Sequence, residues 1–136
     1  MKKSSESKPY KFNQSQLKWL EALESGNYKR CIGKLCNISN SEESFCCLGV
    51  ASELLCSQEN KVDKEDCRHY ENEDVYAPLT VASKLKLNNS IGTIATNKIK
   101  GYRKKETSLT QFNDSGMTFK EIAKFIRKHP YAVFKS

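Results

Sequence analysis

Apolar positions fall into a few short groups separated by polar stretches, and the spacing inside each group predicts the local structure. Leu17, Leu20 and Leu23, with Trp19 and Ala22, recur at helical spacing. Asn13 stands ahead of them as a cap with Gln16 three positions on, Phe12 can staple onto Leu17, and Gly26 supplies the stop. Residues 28–35 alternate and predict a strand, with Gly33 marking a bulge or a close backbone approach. Residues 37–44 are polar and predict a loop. Residues 45–56 are apolar on nearly every face, which predicts a buried helix, and Gly49 inside it calls for another backbone packed tightly alongside.

Further on, residues 57–76 are acidic and poor in apolar positions, which predicts a surface loop. Pro78 opens a helix with Val81, Ala82 and Leu85 turned inward, and β-branched alternation over 91–99 predicts a strand. Thr107 caps a short helix carrying Leu109 and Phe112. Thr118 caps the last one, with Glu121 closing a capping box, Phe119, Ile122, Ala123 and Ile126 on its inner face, and Pro130 ending it. These elements make a compact α+β single domain over 12–136, with about four helices and a small antiparallel sheet or hairpin. Residues 1–11, rich in Lys and Ser, read as a disordered basic arm.

Composition narrows the class. The hydrophobic share of 38% allows a compact core. The longest apolar run, 45–51, is far too short to span a bilayer, so no membrane partner is expected. The basic start has no apolar stretch behind it, so no secretion signal is expected and the six cysteines should be reduced. The formal charge of +7 is uneven, because residues 36–77 hold ten acids against three bases while both flanks are basic. Such asymmetry speaks to partners.

The motifs each meet a plainer reading. The helix pair over 109–126 resembles the start of a helix-turn-helix, but no recognition helix follows it, which leaves an αα-hairpin. Cys31-x4-Cys36 with Cys67-x-His69 could offer four zinc ligands. The paired Cys-x2-Cys spacing is absent, however, and no metal or other cofactor is expected. No phosphate-binding loop and no His-Glu-x-x-His pattern occurs, and the apolar setting of Cys46-Cys47 argues against a redox pair. No catalytic residue is nominated.

The candidate binding residues are basic and aromatic. Tyr28, Arg30 and Lys34 would share one strand face by alternation. Tyr102 with Arg103, Lys104 and Lys105 belongs to the basic tract 98–105, and Asn113-Asp114 forms a polar helix end. If the two clusters converge, they frame a positive concavity for an anionic ligand or an acidic partner patch.

Four segments together resemble a known family. They are Ala22-Leu23-x-Ser25-Gly26-x-Tyr28, Gly33-x-Leu35, Phe45-Cys46-Cys47-Leu48-Gly49-Val50 and Leu109-x-x-x-Asn113-Asp114-x-Gly116-x-x-Phe119-x-Glu121-Ile122-Ala123. In that order they resemble a family of small bacteriophage proteins of uncharacterised function. The resemblance covers about residues 17–128 and carries no catalytic residues. It implies a phage gene acting in the cytoplasm of the bacterial host. Two function classes follow. One is a non-enzymatic accessory that binds a host protein or a small anionic signal molecule in host takeover or counter-defence. The other is a nucleic-acid-binding protein using the segments around 29–34 and 98–105.

Overall fold

A computed structural model describes residues 9–103 and 106–135. The chain forms α1 (Gln14–Ser25), β1 (Cys36–Ser39), β2 (Glu42–Phe45), α2 (Cys47–Leu55), β3 (Lys61–Lys64), β4 (Cys67–Tyr70) and α3 (Leu79–Leu85). Then follow β5 (Thr93–Ile94), β6 (Thr107–Ser108), α4 (Leu109–Asp114), α5 (Phe119–Lys128) and α6 (Pro130–Val133). One antiparallel sheet runs β2-β1-β4-β3, and β5 pairs with β6 in a second, two-stranded one. The architecture is the compact α+β domain that the patterning predicts.

The helices begin where their caps demand. Asn13 Oδ1 accepts from Gln16 N–H at 2.7 Å and Gln16 Oε1 accepts from Asn13 N–H at 2.8 Å, so two otherwise orphan donors are satisfied at once. Thr118 and Glu121 repeat the device at α5. The inner faces, Trp19, Leu20 and Leu23 from α1 and Phe119, Ile122, Ala123 and Ile126 from α5, are buried and meet α2 and α4 in one core. Leu17, expected on the inner face of α1, stands outward.

At the centre lies α2. Its N-cap is Cys46, whose sulfur accepts from Gly49 N–H at 3.3 Å. The close backbone that Gly49 calls for is that of Leu35. A Cβ at position 49 would stand 1.7 Å from the Leu35 carbonyl oxygen, so only glycine lets the chain pass there.

Several connecting segments differ from expectation. Residues 28–35 are not a strand. Arg30 makes a single bridge to Phe45, and the chain then bends through Gly33 at φ +88° to lay Leu35 against α2. The polar segment 37–44 is a hairpin instead of a loop, turned by Asn40 and Ser41, both at positive φ as a two-residue turn requires. The segment 57–76 is structured and largely at the surface, with a 3-10 turn at Gln58–Asn60 followed by the β3–β4 hairpin, whose Tyr70 is fully buried. Three of the four residues of β3 are charged, so it lacks the apolar alternation that marks a strand. Of 91–99 only Thr93–Ile94 is extended, and Thr96–Lys98 forms a 3-10 turn. Ser108, not Thr107, caps α4. Pro130 both stops α5 and opens α6.

The first eight residues of the expected basic arm lie outside the described residues, as do Lys104 and Lys105. Tyr10, within that arm, packs edge-on against Phe12 and Tyr131 and stacks at 5.9 Å on Phe134.

Candidate functional site

The residues nominated from sequence distribute over three places. Asn113 is completely buried and ties the fold together. Its Oδ1 accepts from Cys47 N–H at 3.1 Å, and its Nδ2 donates to the Cys31 carbonyl at 2.9 Å. Arg30 donates to the Asn113 carbonyl at 2.8 Å, and the Cys47 thiol faces the Leu109 carbonyl at 3.6 Å. The Phe-Cys-Cys-Leu-Gly-Val and Asn-Asp-x-Gly segments, far apart in sequence, are therefore bonded directly to each other. Tyr28 packs edge-on against Phe45, and Asp114 is exposed beside this knot.

The lysines of the first basic cluster are paired with acids of the same chain, at the surface. Lys29 pairs with Glu42 and Lys34 with Asp74, each at 2.8 Å. In the second cluster, Tyr102 is half-buried against the core and donates its N–H to the Ile99 carbonyl at 3.2 Å, while Arg103 is exposed.

The cysteines are all free. Burial pushes the Cys46 thiol up to about 12 and raises Cys47 well above its ordinary value, so neither ionises near neutrality. The four zinc candidates do not converge. Cys31 faces the Lys34 carbonyl and Cys36 is buried beside β4, whereas Cys67 and His69 stand together with Asp74.

A charged network covers one end of the sheet. Arg68, mostly buried, binds Glu43, Glu53 and Asp63, and Lys61 Nζ reaches Glu53 at 3.2 Å. Tyr70 donates its hydroxyl to Glu53 at 2.7 Å. Burial alone would raise the Glu53 carboxyl, but the hydrogen bonds from Tyr70, Lys61 and Arg68 outweigh it and hold the group below its usual range. Every cation here already has its anion, which makes this a structural clamp.

A concavity of about 470 Å³ opens elsewhere, between the segment ahead of α1 and the α5–α6 junction. Tyr10, Phe12 and Tyr131 supply aromatic wall, and Lys98, Arg127, Lys128 and His129 supply polar and cationic groups. The wall continues inward, because Phe134 touches Tyr10 and Phe12 and lies 6.5 Å from the Trp19 ring. Arg127 is held by a two-point pair with Glu24, which leaves Lys98 and Lys128 at the surface as the cations of the rim. Lys98 belongs to the basic tract singled out in the sequence. The aromatic residues were missed there because residues 10–12 and 127–132 meet only after folding.

Among the described residues, no helix is long and apolar enough to cross a membrane. A family model described as a domain of unknown function (DUF8296) matches residues 13–130. No curated protein and no solved structure matches the chain.

Proposed function

We propose, for a chain that belongs to this family of domains of unknown function, a non-enzymatic role in binding a small anionic ligand that carries a planar ring. The observation that carries the reading is the concavity walled by Tyr10, Phe12 and Tyr131. Its volume of about 470 Å³ falls in the size class of small-molecule sites, and it combines aromatic wall with a lysine rim. Tyr10 and Tyr131 meet at 5.1 Å and offer faces and edges for a ring, while Lys98 and Lys128 attract phosphate or carboxylate. Together with the resemblance to small bacteriophage proteins, this favours capture of a host signal molecule during takeover or counter-defence. The nucleic-acid reading is weaker, since Lys29, Arg30 and Lys34 are engaged within the fold.

Calorimetric titration with inorganic phosphate and a panel of nucleoside mono-, di- and triphosphates tests the reading. Saturable binding by at least one nucleotide is expected. It should be lost when Lys98 and Lys128 are both changed to Glu, with the thermal melt unaltered. Failure of every nucleotide, alongside binding to single-stranded or duplex DNA that weakens steeply with salt, would overturn it in favour of nucleic acid.

A further inference from the structure

We propose that Cys67, His69 and Asp74 form a binding site for a divalent transition-metal ion of the zinc class, separate from the aromatic cavity. The backbone builds the cluster. Cys67 and His69 are two positions apart on β4, so both side chains leave the same face of the sheet. Glu71 and Asn72, at φ 52° and 70°, turn the chain back so that Tyr70 and Glu73 pair through two reciprocal backbone hydrogen bonds. The next residue, Asp74, therefore arrives alongside His69. Its carbonyl is fixed by the Leu35 N–H at 2.8 Å.

The side chains meet accordingly. One ligand atom from each of the three lies within 4.8 Å of the other two. The Asp74 Oδ2 atom is 3.8 Å from His69 Nε2 and 3.9 Å from Cys67 Sγ. With metal–ligand bonds of about 2.0–2.3 Å, tetrahedral ligands stand roughly 3.3–3.6 Å apart. Asp74 is within a few tenths of an ångström of that spacing to both partners, and the thiol and imidazole, which stand within 4.8 Å of each other, complete the geometry by closing together.

Two observations favour a cation over other uses of these residues. His69 Nε2, the ring nitrogen nearest Asp74, stands beyond hydrogen-bond range of it, so no hydrogen bond to that carboxylate holds the nitrogen that would meet a metal. The arrangement also excludes a thiol–imidazole–carboxylate relay. In a relay the imidazole lies between the other two, whereas here thiol and imidazole both face the carboxylate. A thiolate, an imidazole and a carboxylate suit zinc or cobalt and do not suit magnesium or calcium, which take all-oxygen shells. Binding would release the Cys67 proton to solvent. Three protein ligands leave a fourth position for water or a small anion.

Lys34 is the competitor, with its ammonium 2.8 Å from the same carboxylate oxygen. Its side chain is 42% exposed, so it can swing to solvent when a metal arrives.

Titration of the full chain with Co(II) under a phosphine reductant tests the site through thiolate charge-transfer absorption, with Zn(II) displacement giving the zinc affinity. One equivalent of tetrahedral Co(II) is expected. Cys67→Ser, His69→Gln and Asp74→Asn, each checked for folding by circular dichroism, should weaken binding by more than about 100-fold for the first two and tenfold for the third. Cys31→Ser should leave it unchanged, and Lys34→Met should tighten it. Zinc should also shield Cys67, but not Cys31, from alkylation in the wild-type protein. Absence of a one-equivalent complex in the wild type would overturn the proposal. So would a complex that survives in both Cys67→Ser and His69→Gln, since other cysteines would then be holding the ion.

Discussion

The knot around α2 and the clamp around Arg68 hold one domain by opposite means. In the knot, Gly49, Cys47 and Asn113 are buried, and hydrogen bonds to backbone groups, with Arg30 the one charged donor, fix their positions against apolar packing. In the clamp, Arg68, Lys61, Glu53, Glu43 and Asp63 hold the sheet end by charge at the edge of solvent. The first depends on shape and tolerates almost no change of volume. The second depends on protonation and salt, and it can lose one partner while keeping others. Rigidity at the centre and adjustable charge at the periphery thus come from different residue types in one small domain.

The largest effect should come from Gly49→Ala. Its methyl group would enter the Leu35 carbonyl, so backbone must move, at a cost above about 3 kcal/mol. For a domain whose whole stability is of order 5–15 kcal/mol, this removes a large share of it, as urea melts would show. Asn113→Leu comes next. It leaves the Cys47 N–H and the Cys31 carbonyl unpaired in the interior and should cost about 2–4 kcal/mol by chemical denaturation. A loss under 1 kcal/mol would mean that apolar packing alone holds the knot.

Arg68→Met should cost less, about 1–3 kcal/mol, because Glu53 keeps Lys61 and Tyr70. The pH dependence sharpens the contrast. Glu53, whose burial is outweighed by its donors, and Asp63, hydrogen-bonded by Arg68, both titrate below their ordinary values. Groups of that kind stabilise the fold fully above the unfolded-state value, and the contribution is lost as the pH falls through the lower folded value. Thermal stability should therefore drop below about pH 5, and Arg68→Met should flatten that drop. An acid transition of equal size in both proteins would remove the clamp as its source. The smallest effect belongs to Lys29→Ala. It breaks a pair exposed by more than 60% on both sides, and its melt should stay within about 0.5 kcal/mol of the parent.

The same contrast explains what the sequence made legible. The helices could be read because their signals are local. Asn13 with Gln16, Thr118 with Glu121, and Pro78 each announce an end within one turn of chain. Gly49 announced a close neighbour without naming Leu35. The hairpins were hidden because segments such as Glu42–Phe45 and Lys61–Lys64 carry their strands on charged residues, and their pairing is decided by turns at Asn40-Ser41 and Glu65. The alternation at 28–35 misled for the converse reason, since the bend at Gly33 overrides it. Of the candidate chemistry, Cys67 and His69 were visible as a spaced pair. Asp74 was not, because a two-residue turn brings it back to them. The aromatic cavity draws on residues more than 110 positions apart, and no spacing rule links them.

The chain has one tryptophan, and its place gives the molecule an internal optical gauge. The indole of Trp19 is fully buried and donates to the Cys47 carbonyl at 2.9 Å, so its emission should be blue and should redden only when the α2 knot opens. Phe134 and Tyr10 extend from that ring to the cavity wall, with Tyr131 beside Tyr10. Tyrosine excitation at the rim can pass to the indole over this short path. A ligand that stacks on Tyr10 or Tyr131 should then quench the transferred emission while leaving direct indole excitation unchanged. Unfolding and occupancy would thus register as separate signals in the unlabelled protein.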